Sequence, residues 1–133
     1  MTFATATVVT NKGVAIFADR VQTTPATYTT APKFVRMGTG ATAAARSAVK
    51  ADTALSVSAQ TSATGVESIT ATTVTGDTYR VVGTVGATGA QAVDEAGLFD
   101  AATVGNMFTS ATFAVINLAA SDTIQFTWNV QVS

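Results

Sequence analysis

The side chains left to do chemistry in this chain are its carboxylates. The 133 residues include no histidine and no cysteine, which removes the usual general base, the strongest nucleophile and the preferred zinc ligands. A Ser–His or Cys–His nucleophile is excluded outright. A pair of acids of the glycosidase kind is still open, and its candidates are Asp94, Glu95 and Asp100. Asp94 and Glu95 are neighbours on a predicted strand, so they point to opposite faces and only one can enter a given cleft. These acids read as solvated or ion-paired rather than catalytic, and Asp94 to Asp100 lacks the ligand spacing of a calcium loop. Gly38-Thr39-Gly40 lacks the Lys-Ser/Thr of a nucleotide loop and the third glycine of a dinucleotide loop, so it reads as a turn. Tyr28, Tyr79 and Trp128 could form a sugar-stacking platform. Trp128 lies on an apolar strand face and belongs to the core, whereas Tyr28, in a Thr-rich stretch, is the surface candidate. The expectation is a protein without catalytic residues, metal or cofactor.

The elements that must position these residues are strands. Ile124, Phe126, Trp128, Val130 and Val132 alternate with Thr123, Gln125, Thr127, Asn129 and Gln131, and period two sends the first set to a core and the second to water or a partner. The polar set carries no charge. At a sheet edge it would be an unguarded pairing surface, natural between subunits; inside a sheet it would be a solvated Thr-rich face. Ser68–Thr75 and Thr78–Val85, punctuated by Gly76-Asp77, predict a hairpin. Strands are predicted over 33–37, 93–99 and 107–116, with loops over 86–92, 100–106 and 117–122. Asn11-Lys12-Gly13 between two apolar runs predicts a turn, of a hairpin or otherwise. The stretch 21–33 holds both prolines and reads as a Thr/Pro-rich surface loop. Residues 38–54 are a Gly/Ala-rich loop or a short helix, since the Ala run favours helix but offers almost no face to dock. With no βαβ rhythm, heptads or internal repeat, the pattern predicts one all-β domain over 1–133, a mostly antiparallel β-sandwich or jelly-roll-like fold with little helix.

Composition agrees. Ala and Thr make up roughly 40% of the chain, far above ordinary usage. Charged residues are only 11%, too few for a protein that works through charge chemistry. The net charge of −1 hides an asymmetry: residues 1–50 hold six basic side chains against Asp19, whereas 51–133 hold Arg80 against seven acids. The halves either interleave and neutralise one another or give a bipolar surface that docks copies or a partner. Scattered basic residues and a pI near 5.0 argue against nucleic acid as a partner. No apolar run reaches the roughly 20 residues of a membrane helix, and residues 1–5 lack the features of a secretory signal, so synthesis in a cytosol is expected.

Patches of the sequence carry a resemblance. Asp94-Glu95-Ala96-Gly97-Leu98-Phe99-Asp100-Ala101, Gly105-Asn106-Met107-Phe108, Ala111-Thr112-Phe113 and Asp122-Thr123-Ile124-Gln125-Phe126-Thr127-Trp128 resemble a pattern recurring in structural proteins of tailed bacteriophages. Asn11-Lys12-Gly13 and Phe34-Val35-Arg36-Met37-Gly38-Thr39-Gly40 are similar to the same group. The motif residues are Glu95, Gly97, Leu98, Phe99 and Asp100. The resemblance implies a non-enzymatic virion protein. With no coiled coil, collagen-like repeat or receptor domain in the sequence, the expectation tilts toward a capsid decoration (cement) protein on the outer capsid surface. Such a protein bridges major capsid protein subunits and self-assembles as a homotrimer or, alternatively, a dimer. A tail, collar or fibre-associated protein and a carbohydrate-binding adsorption module are the alternatives. The residues expected at an interface are Lys12, Arg20, Tyr28, Lys33, Arg36, Gln125, Asn129 and Gln131, with the loop 21–33 and the basic half facing the shell.

Overall fold

A computed structural model of the chain describes residues 4–21, 27–28, 30–39, 60–61, 63–103 and 105–132. It is an all-β, sandwich-like single domain, with one short helix among the described residues. In chain order the elements are β1 (Ala4–Val9), α1 (Asn11–Arg20), β2 (Phe34–Gly38), β3 (Gln60–Thr61), β4 (Ala63–Thr64), β5 (Val66–Thr70), β6 (Thr78–Ala87), β7 (Gln91–Phe99), β8 (Met107–Leu118) and β9 (Thr123–Gln131). One sheet runs β1-β8-β7-β2-β4. The second is built on β6, which pairs with β9 along one side and with β5 and β3 along the other. All pairings are antiparallel.

The core lies between the sheets. Val35 and Met37 of β2, Ala96 and Leu98 of β7, and Phe108, Ala111 and Phe113 of β8 meet Val81, Val85 and Ala87 of β6 and Trp128 of β9 in one buried cluster. Ile124, Phe126 and Val130 pack against it, partly buried. The Phe113 and Phe126 rings stand 6.0 Å apart, and Tyr79 meets Phe108 edge-on at 6.4 Å, both within the range where aromatic pairs attract. Gly83 sets the closest approach of the sheets: a Cβ there would sit 2.7 Å from Val35 Cγ2, closer than packed carbons allow. β9 reproduces the predicted alternation, with Gln125, Thr127, Asn129 and Gln131 exposed. Val132 is the exception: it lies past the end of β9 and is 52% exposed.

The largest departure from expectation is α1. The turn expected at Asn11-Lys12-Gly13 is instead the first turn of a ten-residue helix. Thr10 is its N-cap, and the hydroxyl accepts the Gly13 N–H at 3.0 Å, which satisfies one of the helix's open donors. The same hydroxyl donates to Met107 O, and Thr10 N–H donates to Phe108 O at 3.1 Å, so the cap is fastened to β8. Ile16 is fully buried in the core. Gly13 lies so close to β8 that a Cβ would fall 2.0 Å from Phe108 O, which is why a residue with poor helix propensity stands inside a helix.

Other boundaries shift for local reasons. β5 ends at Thr70 rather than Thr75, because the Asp77 carboxylate gathers residues 72–74 into the turn. The loop expected over 86–92 shrinks to 88–90: small residues suited to a loop continue β6 to Ala87, and β7 begins at Gln91. β8 runs on to Leu118. Beside β2, the Gln60 side chain acts as a missing strand, accepting the Met37 N–H at 2.7 Å and donating to Met37 O. The Gly/Ala-rich stretch 38–54 expected as a loop or short helix lies outside the described residues except for 38 and 39, as do 22–26 and 29 of the Thr/Pro-rich stretch.

Candidate functional site

Three surfaces hold the expected interface residues. The first is the outer face of the second sheet. Gln125, Asn129 and Gln131 stand on β9 opposite Thr84, Arg80 and Thr78 of β6. Val66 and Ser68 of β5 continue the face, and an open groove of about 570 Å³ runs from Thr64 across Arg80 and Val82 to Gln125. Arg80 is the one charge in its lining. Gln131 is also fastened from behind, its amide donating to Thr73 Oγ1 at 2.9 Å and Asp77 Oδ2 at 3.0 Å.

The second surface is the solvent side of α1. Val14 is 45%, Phe17 45% and Val21 72% exposed. Their spacing of three and four residues puts them on one side of the helix, about a quarter-turn round from Gly13 and Ile16, which are buried. Arg20 stands at the end of the helix, and Lys12 near its start on the other side. An apolar stripe turned to water departs from ordinary amphipathic patterning.

The third is the face of the five-stranded sheet turned away from the sandwich core, and it is no open surface. Arg36 was expected at an interface; it is only 8% exposed. Its guanidinium carbon lies 3.7 Å above the centre of the Phe99 ring, and Nη2 donates to Ala101 O at 3.3 Å. Burial pushes its pKa down, and the Asp100 charge opposes that shift. Phe99 and Met107 form a second buried cluster with Phe34 packed on it. Of the motif residues, Glu95, Gly97, Leu98, Phe99 and Asp100 are all buried. Leu98 faces the main core, and Phe99 faces the second cluster. Asp100 closes the 100–106 turn, accepting the Asn106 N–H at 2.7 Å and its side-chain amide at 2.8 Å. The motif therefore builds the fold here and offers no contact surface. Glu95 is 2% exposed, so of the two expected states, solvated or ion-paired, the solvated one is corrected.

Two further expected contact residues, Tyr28 and Lys33, lie apart from these surfaces. Tyr28 is partly buried against the core cluster, and its N–H donates to Asp19 Oδ2 at 2.9 Å, so its ring is no exposed platform. Lys33 pairs with Glu67 at 3.4 Å. Tyr79 joins that group: its hydroxyl lies 3.0 Å from Pro32 O and 3.2 Å from Glu67 Oε2. Burial first and the Glu67 charge second raise its pKa.

The polar hub that sequence reasoning missed is Asp77. Its carboxylate accepts N–H bonds from Thr72, Thr73 and Val74 at 2.8–3.0 Å and the Thr78 hydroxyl at 2.8 Å. The Val74 and Thr72 bonds, the largest causes, hold its pKa well below the usual carboxylate range. The available signal was Asp after Gly in a Thr-rich turn, where a carboxylate can bond backbone N–H groups on either side. Asp122 does the same on a smaller scale, accepting the Ala119 N–H at 2.8 Å. Among the described residues no group of three or more acids is placed to hold a metal ion, and no helix is long and apolar enough to cross a membrane. Comparison with protein-family models, curated proteins and solved structures finds no match.

Proposed function

We propose that this protein is a non-enzymatic structural component of a tailed-bacteriophage virion, a decoration protein that binds the outer capsid shell and bridges major capsid protein subunits. The observation that carries the reading is α1. It presents Val14, Phe17 and Val21 to water, with Arg20 in its last turn, while Ile16 is locked into the core. A surface of that kind loses free energy in water and gains it against a partner with apolar ground and acidic margins. Four carboxylates support the same reading by doing structural work: Asp77, Asp100 and Asp122 each close a turn and Glu67 pairs with Lys33. The sequence resemblance supplies the shell as the partner, and repeated copies there turn modest contacts into firm attachment.

The test is co-sedimentation of the purified chain with empty shells of the phage that encodes it. The wild-type chain binds saturably. Phe17→Asp, at a half-exposed side chain, keeps its β-type circular dichroism and binds about tenfold or more weakly, as expected when a central apolar anchor is lost. Failure of the wild-type chain to bind shells, or binding to isolated tails instead, would overturn the proposal.

A further inference from the structure

β9 is an edge strand built to pair with itself. Among the described residues it pairs with β6 alone, over Thr123–Gln131 and without a register shift. Its N–H and C=O groups alternate between β6 and the open side. The bonds at its two ends fix which is which: Asp122 O accepts from Ala87 N–H, and Val132 N–H donates to Asp77 O. The even-numbered groups therefore face β6. The backbone groups of Thr123, Gln125, Thr127, Asn129 and Gln131 face outward.

Among the described residues nothing guards this edge. Proteins blunt exposed edges with charges, prolines, bulges or very short strands. The other edges here use those devices. β1 carries an irregularity between Ala4 and Ala6, β3 and β4 are two residues each, and β5 holds Glu67 in a five-residue strand. β9 is nine residues of Thr, Ile, Gln, Phe, Thr, Trp, Asn, Val and Gln, without charge, proline or bulge.

The order of those residues selects the partner. Read outward from Thr127 in both directions, the strand gives Phe126 and Trp128, then Gln125 and Asn129, then Ile124 and Val130, then Thr123 and Gln131. It is a palindrome in chemistry: aromatic, amide, branched aliphatic, polar. We propose that β9 pairs antiparallel with β9 of a second copy about a two-fold axis at Thr127. That register sets each outward-facing backbone group against its complement, for about ten main-chain hydrogen bonds. On the exposed face it sets Gln125 against Asn129 of the second copy and Thr127 against its own equivalent. On the core side it sets Phe126 against Trp128. Matched cross-strand pairs of these kinds are favourable, and no like charges oppose. The sheet becomes continuous through the axis, and the symmetry is closed, so pairing stops at two. The inference deepens the self-assembly expected of a virion protein but does not depend on where in the virion, or whether in one, the chain acts.

The test is the solution mass of the full chain and of two double variants on the exposed face of β9. In the proposed register residue 125 of one copy faces 129 of the other. Gln125→Lys with Asn129→Lys sets lysine against lysine twice, whereas Gln125→Lys with Asn129→Glu sets lysine against glutamate twice. By light scattering after gel filtration, the wild-type chain runs at twice its 13.4 kDa mass. The Lys/Glu variant does the same, and the Lys/Lys variant dissociates at least about tenfold more readily with an unchanged circular dichroism spectrum. Because the chain has no cysteine, Thr127→Cys gives a further readout: a short bis-maleimide joins two copies through it, and joins none through Thr73→Cys in the turn before β6. A monomeric wild-type chain, a trimer, equal behaviour of the two double variants, or no cross-link through position 127 overturns the pairing. None of those results touches shell binding, which the Phe17→Asp experiment tests separately.

Discussion

At the scale of single residues, the acids show how this chain spends its few charges. Asp77 accepts three backbone N–H bonds and a hydroxyl, and this is why its pKa is depressed in the folded state. An unfolded aspartate titrates near about 3.9. The contribution of Asp77 is therefore complete above that pH and is lost as pH falls through the lower, folded value. Thermal unfolding of the wild-type chain should lose stability between about pH 4 and 2 more steeply than Asp77→Asn does, because the variant has no proton to take up there. Parallel curves would contradict this role. Arg36 marks what sequence alone could not reveal. In Phe34-Val35-Arg36-Met37 the alternation placed Arg36 opposite the core, and that side of a strand is ordinarily wet. Here it is dry, with the guanidinium on Phe99, and only tertiary structure shows that both faces of β2 are buried.

At the scale of elements, β9 and α1 mark the two ends of legibility. The faces of β9 were readable because period two is a local signal carried by large side chains. Trp128 is 6% exposed and lies in the main core, so Trp128→Ala should lower the free energy of urea unfolding by about 3–5 kcal/mol. Val132→Ala, at a half-exposed residue past the strand, should change it by less than about 0.5 kcal/mol. Similar losses at both positions would refute the assignment of the core face. α1 was hidden because Asn-Lys-Gly imitates a turn and glycine weakens a helix. The cap that starts it bonds to residues 97 and 98 positions away, beyond any local pattern. Two variants probe that dependence. Gly13→Ala, which would strengthen an isolated helix by about 1 kcal/mol, should instead destabilise this protein by about 1–3 kcal/mol through the clash with Phe108 O. Thr10→Val should cost a similar amount by removing the cap. A stabilised Gly13→Ala protein would mean that α1 is not seated on β8.

At the scale of the whole molecule, the fold class followed from composition and strand spacing, whereas the order β1-β8-β7-β2-β4 joins strands far apart in sequence and could not be read from it. The expected contact residues divide the same way. Gln125, Asn129, Gln131, Lys12 and Arg20 belong to the two outer surfaces, whereas Arg36 and the 95–100 motif turned out to be architecture. In the proposed reading two separate surfaces have two separate tasks: α1 toward a partner shell, and the open edge of β9 toward a second copy. A protein with those tasks would act through number and placement. The most direct test is absolute quantification of this chain against the major capsid protein in purified virions, by mass spectrometry with isotope-labelled peptides. A shell protein is predicted to be present in hundreds of copies, in a fixed ratio to the capsid subunit. A count of about three to twelve, the closed symmetry of a tail or collar, or its absence from the particles, would contradict the account.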